Sequence, residues 1–381
     1  MINILHDGNY LFYKSLYVYP RADKGRMLDS KNDRESFMQK NMIDFAYVTR
    51  KFKNLNKVIV TVDDHSWRKH VEIEENKGYK ACRVKDETAV NWDSFNDILD
   101  QFSKILANKG IIISKSDGAE GDDGLFLWSE RLLKDGQSSV IITGDGDLSQ
   151  CVKIKGSNYI FVYDPRSSSK KLVVPIGFAE WSANDNSYDL MDASSYMLDS
   201  KSDIDNLIRE SKINEINPDM VVFYKILTGD SGDDVPSVWG WQAKQSNGKT
   251  INKKVTPTKT ARIFEILEKR YGEVDIFNLQ KYSKDITENI NLLLRQNATE
   301  PVIKERLIRN TKLVWLNEAV MPSYVIENFN QTYNKYKHLS TPEIKKYDMP
   351  TLLEGTEFYS GPDSFESDFF AKTKKNGKSL F

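Results

Sequence analysis

Cysteine and histidine are both scarce in this chain, with two cysteines and four histidines among 381 residues. Two cysteines cannot build a disulfide framework, so we expect a reducing compartment, the cytoplasm. No histidine stands at ligand spacing with a cysteine, which argues against a zinc site. The sequence also lacks a signal-peptide pattern and any apolar run long enough to cross a bilayer, so we expect no membrane association.

An excess of charge of either sign is missing as well. The chain has 54 basic and 55 acidic residues, a formal net charge of -1. There is therefore no overall basic field to attract nucleic acid, and a nucleic-acid ligand would require basic residues that are segregated from the acidic ones. The length allows two domains.

Acidic residues follow four apolar runs in the first half of the chain. The runs cover residues 2–6, 57–62, 111–114 and 140–143 and are separated by stretches with helical patterns. This alternation predicts βαβ units and a parallel sheet, whose strands all end at one edge. We therefore expect the following acids to converge there: Asp7, Asp63, Asp64, Glu120, Asp122, Asp123, Asp145 and Asp147.

Carboxylates that converge repel one another unless they are neutralised or share a cation. An all-oxygen site suits a hard ion such as Mg²⁺ or Mn²⁺. The alternative is that each acid only caps a helix or a turn. Capping at the start of the next helix could explain Asp122 or Asp123, but it does not also explain Glu120. We assign Asp164 to the turn of a hairpin over residues 158–174, outside the site.

A basic segment interrupts the alternating pattern at residues 64–92. It carries Trp67, Arg68, Tyr79, Lys80 and Arg83 and has poor apolar periodicity, so we expect it to lie outside the core. Long excursions of this kind are functional or disordered in most proteins. Basic residues with interleaved aromatics predict contacts to a nucleic-acid backbone. A solvated charged surface is the alternative.

The pattern changes near residue 185, where the alternating strands stop, and we expect the rest of the chain to be mostly helical. A helix over residues 217–227 leads into a tight turn that carries Asp230 and Asp233. The next predicted helix starts at residue 258, and Lys259 with the free backbone N–H groups there would form a phosphate-binding element. From about residue 340 the chain is polar with aromatic clusters, which fits either a docking peptide or a segment that packs on its own domain.

Several of these motifs resemble, in the same order, those of the 5′-nuclease superfamily, especially its branch of T-even phage ribonucleases H. The superfamily also includes flap endonucleases and the exonuclease domain of bacterial DNA polymerase I. The resemblance covers residues 1–335. It rests on Asp7-Gly8, Val62-Asp63, Trp67-Arg68, Tyr79-Lys80 with Arg83, Glu120 to Asp123, Gly144-Asp145-Gly146-Asp147, Gly229-Asp230, Asp233-Asp234-Val235, Thr256-Pro257 and Lys259-Thr260.

The resemblance implies an α/β fold, with a PIN-like (Rossmann-like) parallel-sheet nuclease domain followed by a mostly helical domain that contains a helix-three-turn-helix element. We expect the catalytic domain at residues 1–185, with segment 64–92 as its basic arch, and the helical DNA-binding domain at 186–340. A flexible tail at 341–381 would dock to a sliding clamp or a single-strand-binding protein. The protein is expected to be a monomer.

The implied activity is a structure-specific 5′→3′ exonuclease or flap endonuclease that uses two Mg²⁺ ions, with Mn²⁺ as the other choice. Its substrates would be duplex DNA or RNA·DNA hybrids, and its task the removal of RNA primers. The resemblance assigns roles as follows: Asp7, Asp63, Glu120, Asp122, Asp123 and Asp145 around the first ion, with Asp122 acting through a neighbouring ligand; Asp147, Asp230 and Asp233 at the second ion; Lys80 and Arg83, assisted by Arg68, at the scissile phosphate; and Tyr10, Trp67, Tyr79 and Lys259 in nucleic-acid contacts.

Three other functions remain open at this point. A catalytically weak nucleic-acid-binding scaffold would have an incomplete acid set. A Mg²⁺-dependent phosphatase would need a nucleophilic Asp with a partner Lys or Thr and would have no use for a basic segment. A small single-domain ribonuclease of the PIN type would lack the second domain.

Overall fold

The computed structural model describes residues 1–18, 25–73, 78–83, 85–166, 170–176, 178–182, 187–190, 204, 207–208, 210–239, 257–294, 297–341 and 349–358. The chain divides into two compact units. Unit 1 consists of residues 1–64, 85–215 and 328–381, and unit 2 consists of residues 65–84 and 216–327.

Unit 1 is built on an eight-stranded sheet in the order β10-β7-β6-β4-β1-β2-β3, with β5 paired to β6. Strand β1 runs parallel to β2 and β4, while β3 is parallel to β2 and β6 is parallel to β4. The predicted parallel sheet is thereby confirmed. The strands are β1 Ile2–Asp7, β2 Leu55–Thr61, β3 Ile112–Ser114, β4 Ser139–Ile142, β5 Lys153–Lys155, β6 Asn158–Asp164, β7 Lys171–Pro175 and β10 Lys212–Ile216, and a separate hairpin has β8 Ala179–Ser182 and β9 Ser187–Leu190.

The central strands are buried along their length, as β1 and β4 show by having no exposed residue. Continuous apolar burial of this kind is typical of parallel strands that are covered on both faces. The helices of unit 1 are α1 Gly8–Val18, α2 Lys31–Thr49, α3 Trp92–Asn108, α4 Gly121–Lys134 and α10 Met349–Leu353; helix α9, Ser323–Tyr336, contains the last boundary between the units. Helix α2 begins earlier than its apolar pattern suggests because the Ser30 side chain caps it by accepting from the Asp33 N–H.

Unit 2 is helical in the part that the structure describes. Its helices are α5 Pro218–Thr228, α6 Pro257–Tyr271, α7 Ser283–Leu294 and α8 Glu300–Val314, with a 3-10 helix at Ile276–Tyr282. This confirms the predicted helical second region. Of the expected helix-three-turn-helix element, α5, the turn after it and α6 are described, whereas residues 240–256 lie outside the described residues.

The expectation that strands stop near residue 185 is wrong. Strand β9 follows that point, and β10 pairs into the large sheet of unit 1. Strand β10 forms an edge of the sheet next to β7, which lies well before it in the chain. A five-residue strand that pairs at long range has no hydrophobic pattern long enough to predict it from the sequence. The domain limits therefore differ from those expected, since unit 1 continues to residue 215 and resumes at residue 328.

The basic segment also differs from its prediction, because part of it belongs to the core of unit 2. Trp67, Arg68 and Tyr79 are buried, and Tyr79 and Ile73 join the hydrophobic cluster that the helices of unit 2 form. The Arg68 Nε donates to the Leu313 carbonyl at 3.0 Å, and its guanidinium lies over the Trp67 ring. Single anchor residues hold this segment, and they create no periodic pattern that sequence reasoning could detect.

The beginning of the predicted tail packs on unit 1. Leu352, Leu353 and Phe358 are buried in the cluster that includes residues of α2 and α3. The Thr341 Oγ1 accepts from the Val58 N–H at 2.8 Å, so the chain is fastened to β2 before this point. A flexible tail from residue 341 onward is therefore wrong for 349–358, whereas residues 359–381, with their predicted docking role, lie outside the described residues.

No helix in the described parts of the chain combines the length and apolar character that a bilayer crossing would require.

Replacing Leu353 by alanine tests the packing of α10. Because the side chain is fully buried, Leu353→Ala should lower the free energy of unfolding by about 2–5 kcal/mol in urea denaturation. Leu339→Ala is the control, since this leucine is half exposed and should change stability by less than about 0.5 kcal/mol. Equal, small effects of both variants would mean that residues 349–358 are a detached peptide.

Candidate metal centre and nucleic-acid contacts

Asp7 and Asp145 are joined through one threonine at the carboxyl edge of the sheet. The Thr143 Oγ1 donates to Asp7 Oδ2 at 2.8 Å and accepts from the Asp145 N–H at 3.0 Å. The other Asp7 oxygen accepts from the Tyr10 N–H at 2.8 Å, at the start of α1. The neighbouring ends of β1 and β4 thus bring these two acids together, as the parallel arrangement predicts.

The end of β2 is tied to the start of α4 in a similar way. Asp63 Oδ1 accepts from the Gly121 N–H at 2.6 Å. Glu120 precedes the helix and is buried. Asp64 is drawn elsewhere, because its carboxylate accepts from the Gly118 N–H and pairs with Lys115 at 3.3 Å.

The acids of this edge act on one another electrostatically. Burial raises the pKa of Asp7 to about 7, and repulsion from Asp63 and Asp145 adds to the rise, while hydrogen bonds from Tyr10 and Thr143 oppose it. Burial also raises the pKa of Asp122 well above its usual range, with repulsion from Asp7, Asp145, Asp63 and Glu120 contributing in that order. Five of the eight acids expected to converge therefore act on one another, and their role at a metal ion stays a prediction. We call Asp7, Asp63, Glu120, Asp122 and Asp145 the acid cluster.

The two adjacent aspartates of α4 have different environments. The sequence predicted an indirect role for Asp122, but in the structure Asp123 is the residue that turns away from the other acids. Asp123 is fully buried, and its Oδ2 accepts from the Glu120 N–H at 3.2 Å as part of the helix cap. Asp122 is the residue that experiences the charges of the cluster. An indirect role therefore suits Asp123 better than Asp122, because only one of two neighbouring residues at a helix start can face the sheet edge.

A hard divalent cation fits the chemistry of these donors, since all are carboxylates and their mutual repulsion would be relieved by positive charge. Within the residues described, however, no three His, Cys, Asp or Glu side chains lie where they could hold one ion together. Backbone N–H groups draw several of the carboxylates away from a common point; Asp145 Oδ1, for example, accepts from the Asp147 N–H at 2.8 Å. Asp147 itself lies in the 3-10 helix at Gly146–Cys151.

Gly144 lets the backbone approach the Tyr10 ring. A Cβ atom at this position would lie only 2.4 Å from the nearest ring carbon. The Tyr10 hydroxyl oxygen is buried and has no hydrogen-bond partner among the described residues. The ring thus supports the turn that carries Asp145, and its predicted stacking with a base stays a prediction.

A further cation stands beside the acid cluster, and sequence reasoning missed it. Asp164 at the end of β6 holds Arg166 in a two-pronged ion pair, with the Arg166 Nε 2.9 and 2.8 Å from its two carboxylate oxygens. These hydrogen bonds are the main cause of a raised pKa of Arg166, and the charge of Asp145 adds to the effect. The signal was present, because β6 is parallel to β4 and ends at the same edge.

The acidic turn of unit 2 requires a glycine. Gly229 follows α5 with φ of 66°, and a Cβ there would lie 2.3 Å from the Val235 carbonyl oxygen. Asp230 and Val235 then exchange two backbone hydrogen bonds at 2.9 and 2.8 Å, which close the turn. Asn310, another residue that sequence reasoning missed, fastens the turn to α8 by donating to the carbonyls of Ile226 and Pro236.

The acids of this turn are compensated by cations. The Lys225 Nζ donates to Asp230 at 2.8 Å. Burial would raise the pKa of Asp230, but Lys225 and the N–H groups of Gly232 and Asp233 outweigh it, so the pKa is lowered. The predicted role of Asp230 and Asp233 at a second ion stays a prediction.

The basic segment is bound to the same turn. The Tyr79 hydroxyl donates to Asp233 Oδ2 at 2.9 Å, and the Lys80 Nζ lies 3.8 Å from the same oxygen. Arg83 forms an ion pair with the other carboxylate oxygen of Asp233. The Cys82 N–H donates to Asp234 Oδ2 at 2.7 Å. In this arrangement the cations predicted for the scissile phosphate are occupied by a carboxylate.

The other side chains predicted to contact nucleic acid differ in how far they are exposed to solvent. Trp67 and Arg68 are buried in unit 2, so their predicted roles at the substrate are not visible in this arrangement. Lys259 is exposed in the first turn of α6, where a phosphate contact was expected, and its Nζ lies 3.3 Å from the Leu293 carbonyl oxygen. The helix start at Pro257 agrees with the sequence prediction.

The candidate site of unit 1 consists of acids that follow the ends of the strands of a parallel sheet. Residues 3–178 match the family model described as the 5'-3' exonuclease N-terminal resolvase-like domain. Over this part of the chain, the match agrees with the resemblance to the 5′-nuclease superfamily that the sequence motifs predict. No curated protein matches the chain.

Three solved structures show a distant likeness. The T5 D15 protein co-crystallized with metal ions has 14% identity and a TM-score of 0.46, with 88% of this chain and 98% of that chain covered. T5 5'-exonuclease with bound divalent metal ions (zinc) has 15% identity, a TM-score of 0.44 and 88% and 99% coverage. Human GEN1 in complex with Holliday junction DNA has 12% identity, a TM-score of 0.39 and 88% and 72% coverage. Scores at this level are too low to transfer a property.

The raised pKa of Asp7 predicts a pH-dependent stability in EDTA. A carboxyl whose pKa is higher in the folded state stabilises fully below its unfolded pKa of about 4, and this contribution is lost as the pH rises to about 7, at about 1.4 kcal/mol per pKa unit. Urea denaturation at pH 5 and pH 8 should show this loss in the wild type and a smaller one in Asp7→Asn. Asp100→Asn, an exposed position on α3, is the control. An unchanged pH difference in Asp7→Asn would contradict the burial of a repelled carboxylate.

The contacts of Asp233 predict that it restrains the basic segment. Asp233→Asn removes the charge that Arg83 and Lys80 share, so hydrogen exchange of the amides of residues 80–83 should become several-fold faster. Asp275→Asn, which removes the exposed pair with Lys281 in the same unit, should leave these amides unchanged. Equal protection in all three proteins would show that the carboxylate does not restrain the segment.

Proposed function

We propose that the protein is a structure-specific, divalent-metal-dependent 5′ nuclease that hydrolyses phosphodiester bonds of duplex DNA or RNA·DNA hybrids from the 5′ end. The observation that carries this proposal is the acid cluster at the carboxyl edge of the domain that matches the exonuclease family. Ligand and catalytic sites of open parallel sheets lie at this edge.

The reaction that this site supports is hydrolysis at phosphorus. The oxygen of a water attacks the phosphorus, the bond to the 3′ oxygen breaks, and a proton passes to that oxygen, which leaves a 5′-phosphate and a 3′-hydroxyl. Divalent cations, when bound, would activate the water and stabilise the leaving oxygen. The acid cluster would hold the first ion, and Asp147, Asp230 and Asp233 would serve a second.

This chain's own residues would supply the remaining functions. Asp7 and Asp145 are fixed by Thr143 and would keep their spacing when the cluster binds a cation. Lys80 and Arg83 would neutralise the scissile phosphate once they exchange Asp233 for substrate. Lys259 would hold backbone phosphate at the start of α6. The motif likeness to the T-even phage ribonucleases H favours the removal of RNA primers in replication.

One observation favours a second function, that of a nucleic-acid-binding scaffold with little catalytic power. In the residues that the structure describes, no three potential ligands converge on one ion position. Such a protein would bind branched nucleic acid through the same basic residues and release no product.

Substituting Asp145 distinguishes the two functions. Asp145→Asn should lower Mg²⁺-dependent release of 5′ products by about a hundredfold or more, since even residues that only support metal ligands contribute about 10–100-fold. The assay uses 5′-flap, nicked-duplex and RNA·DNA substrates labelled at either end, with Mg²⁺, Mn²⁺ or EDTA. Asp100→Asn should retain full activity.

Full activity of Asp145→Asn would refute the assignment of the site. Tight binding without cleavage in either metal would establish the scaffold function instead. The ranking of the three substrates by kcat/KM gives the preferred substrate directly.

A further inference from the structure

We propose that Arg166 is a binding residue for a backbone phosphate of the nucleic-acid substrate, and that Asp164 is the positioning residue that orients it. This inference rests on the proposed function, because it adds a phosphate contact to the same site. No motif of the superfamily resemblance includes either residue.

The sheet places Arg166 at the rim of the acid cluster. Ile142 and Tyr163 are paired in the parallel strands β4 and β6, and the Thr143 N–H extends this pairing by donating to the Tyr163 carbonyl at 3.1 Å. The two chains therefore leave the sheet side by side, one toward Asp145 and the other toward Arg166. A phosphate that reaches the acid cluster from this side would pass the guanidinium.

The guanidinium is held in a fixed orientation. Asp164 is buried and accepts from both the Arg166 backbone N–H at 3.0 Å and the side-chain Nε. The Arg166 Nη2 donates to the same carboxylate at 2.5 Å. Three contacts to one buried acid restrict the rotamers of a long side chain, so little further entropy would be lost when it binds a ligand.

The same arrangement leaves part of the fork available. More than half of the Arg166 side chain is exposed, and its Nη1 has no hydrogen-bond partner within the described residues. Arginine carries five N–H donors in a planar fork and can bind a carboxylate on one edge and a phosphate on another. Closing the end of β6 accounts for the contacts to Asp164, but it does not account for a donor that faces outward.

The negative charge of the acid cluster explains why a cation such as Arg166 would help a substrate to bind. A polyanionic substrate must approach a cluster of five carboxylates, which repel it. The charge of Arg166 in unit 1 couples to that of Asp145. A phosphate contact at this position would offset part of the repulsion next to the reacting phosphodiester.

The test measures binding of a fluorescein-labelled 5′-flap duplex by anisotropy in EDTA over a range of NaCl concentrations. Arg166→Gln should raise Kd about tenfold and reduce the slope of log Kd against log [NaCl] by about 0.9, the value for one lost phosphate contact. Arg166→Lys, which keeps the charge, should preserve the slope. Asp164→Asn should raise Kd several-fold with an unchanged slope, because the cation remains but is no longer oriented.

The chain offers a matched control in Arg270, which pairs with Asp285. The Arg270 and Asp285 side chains are 59% and 9% exposed, against 55% and 10% for Arg166 and Asp164. Arg270→Gln thus removes an equivalent ion pair in unit 2, and its Kd and slope should match the wild type. Thermal unfolding of each variant shows whether it is folded.

The outcomes separate this inference from the proposed function. If the wild type binds and cleaves the flap but folded Arg166→Gln retains the same Kd, slope and KM, the assignment of Arg166 is wrong and the nuclease stands. If the wild type neither binds nor cleaves any substrate, the proposed function fails and the inference with it. A fall in kcat at unchanged KM would also overturn the binding role.

Discussion

Repulsion among carboxylates at one edge of the parallel sheet is the constraint on which the rest of this structure depends. The fold brings Asp7, Asp122 and Asp145 together, and burial, with repulsion from the neighbouring acids added to it, raises the pKa of Asp7 and Asp122. Hydrogen-bond donors around these carboxylates offset part of their negative charge. The Thr143 hydroxyl and the N–H groups at the starts of α1 and α4 supply partial positive charge without supplying a full one.

The acidic turn of unit 2 is balanced in a different way. Its carboxylates already have full positive partners, Lys225 for Asp230 and Arg83 for Asp233. A cation that binds there must displace an ion pair.

The sequence was sufficient to predict the sheet, because β-branched runs and their trailing acids repeat at regular intervals. The same pattern led to the expectation that eight acids converge, but it could not tell which of Asp122 and Asp123 turns into the helix cap, and in the structure that residue is Asp123. The elements that were missed have no repeating pattern: β10 pairs at long range, and segment 64–92 is fixed by single anchors such as Tyr79. Arg166 does not stand out in the sequence, because a hairpin turn alone accounts for Asp164.

The division of the chain has a consequence for how the protein acquires its structure during synthesis. Neither unit is a continuous stretch, and unit 1 uses residues from both ends of the chain. The Val58 N–H in strand β2 donates a hydrogen bond to Thr341, which lies 283 residues later in the chain. This bond cannot form before Thr341 has been synthesised. Such distant pairings slow folding because large loops must close first. Unit 1 thus cannot be completed on the ribosome until residue 358 has emerged, and no shorter continuous fragment of the described chain would reproduce it.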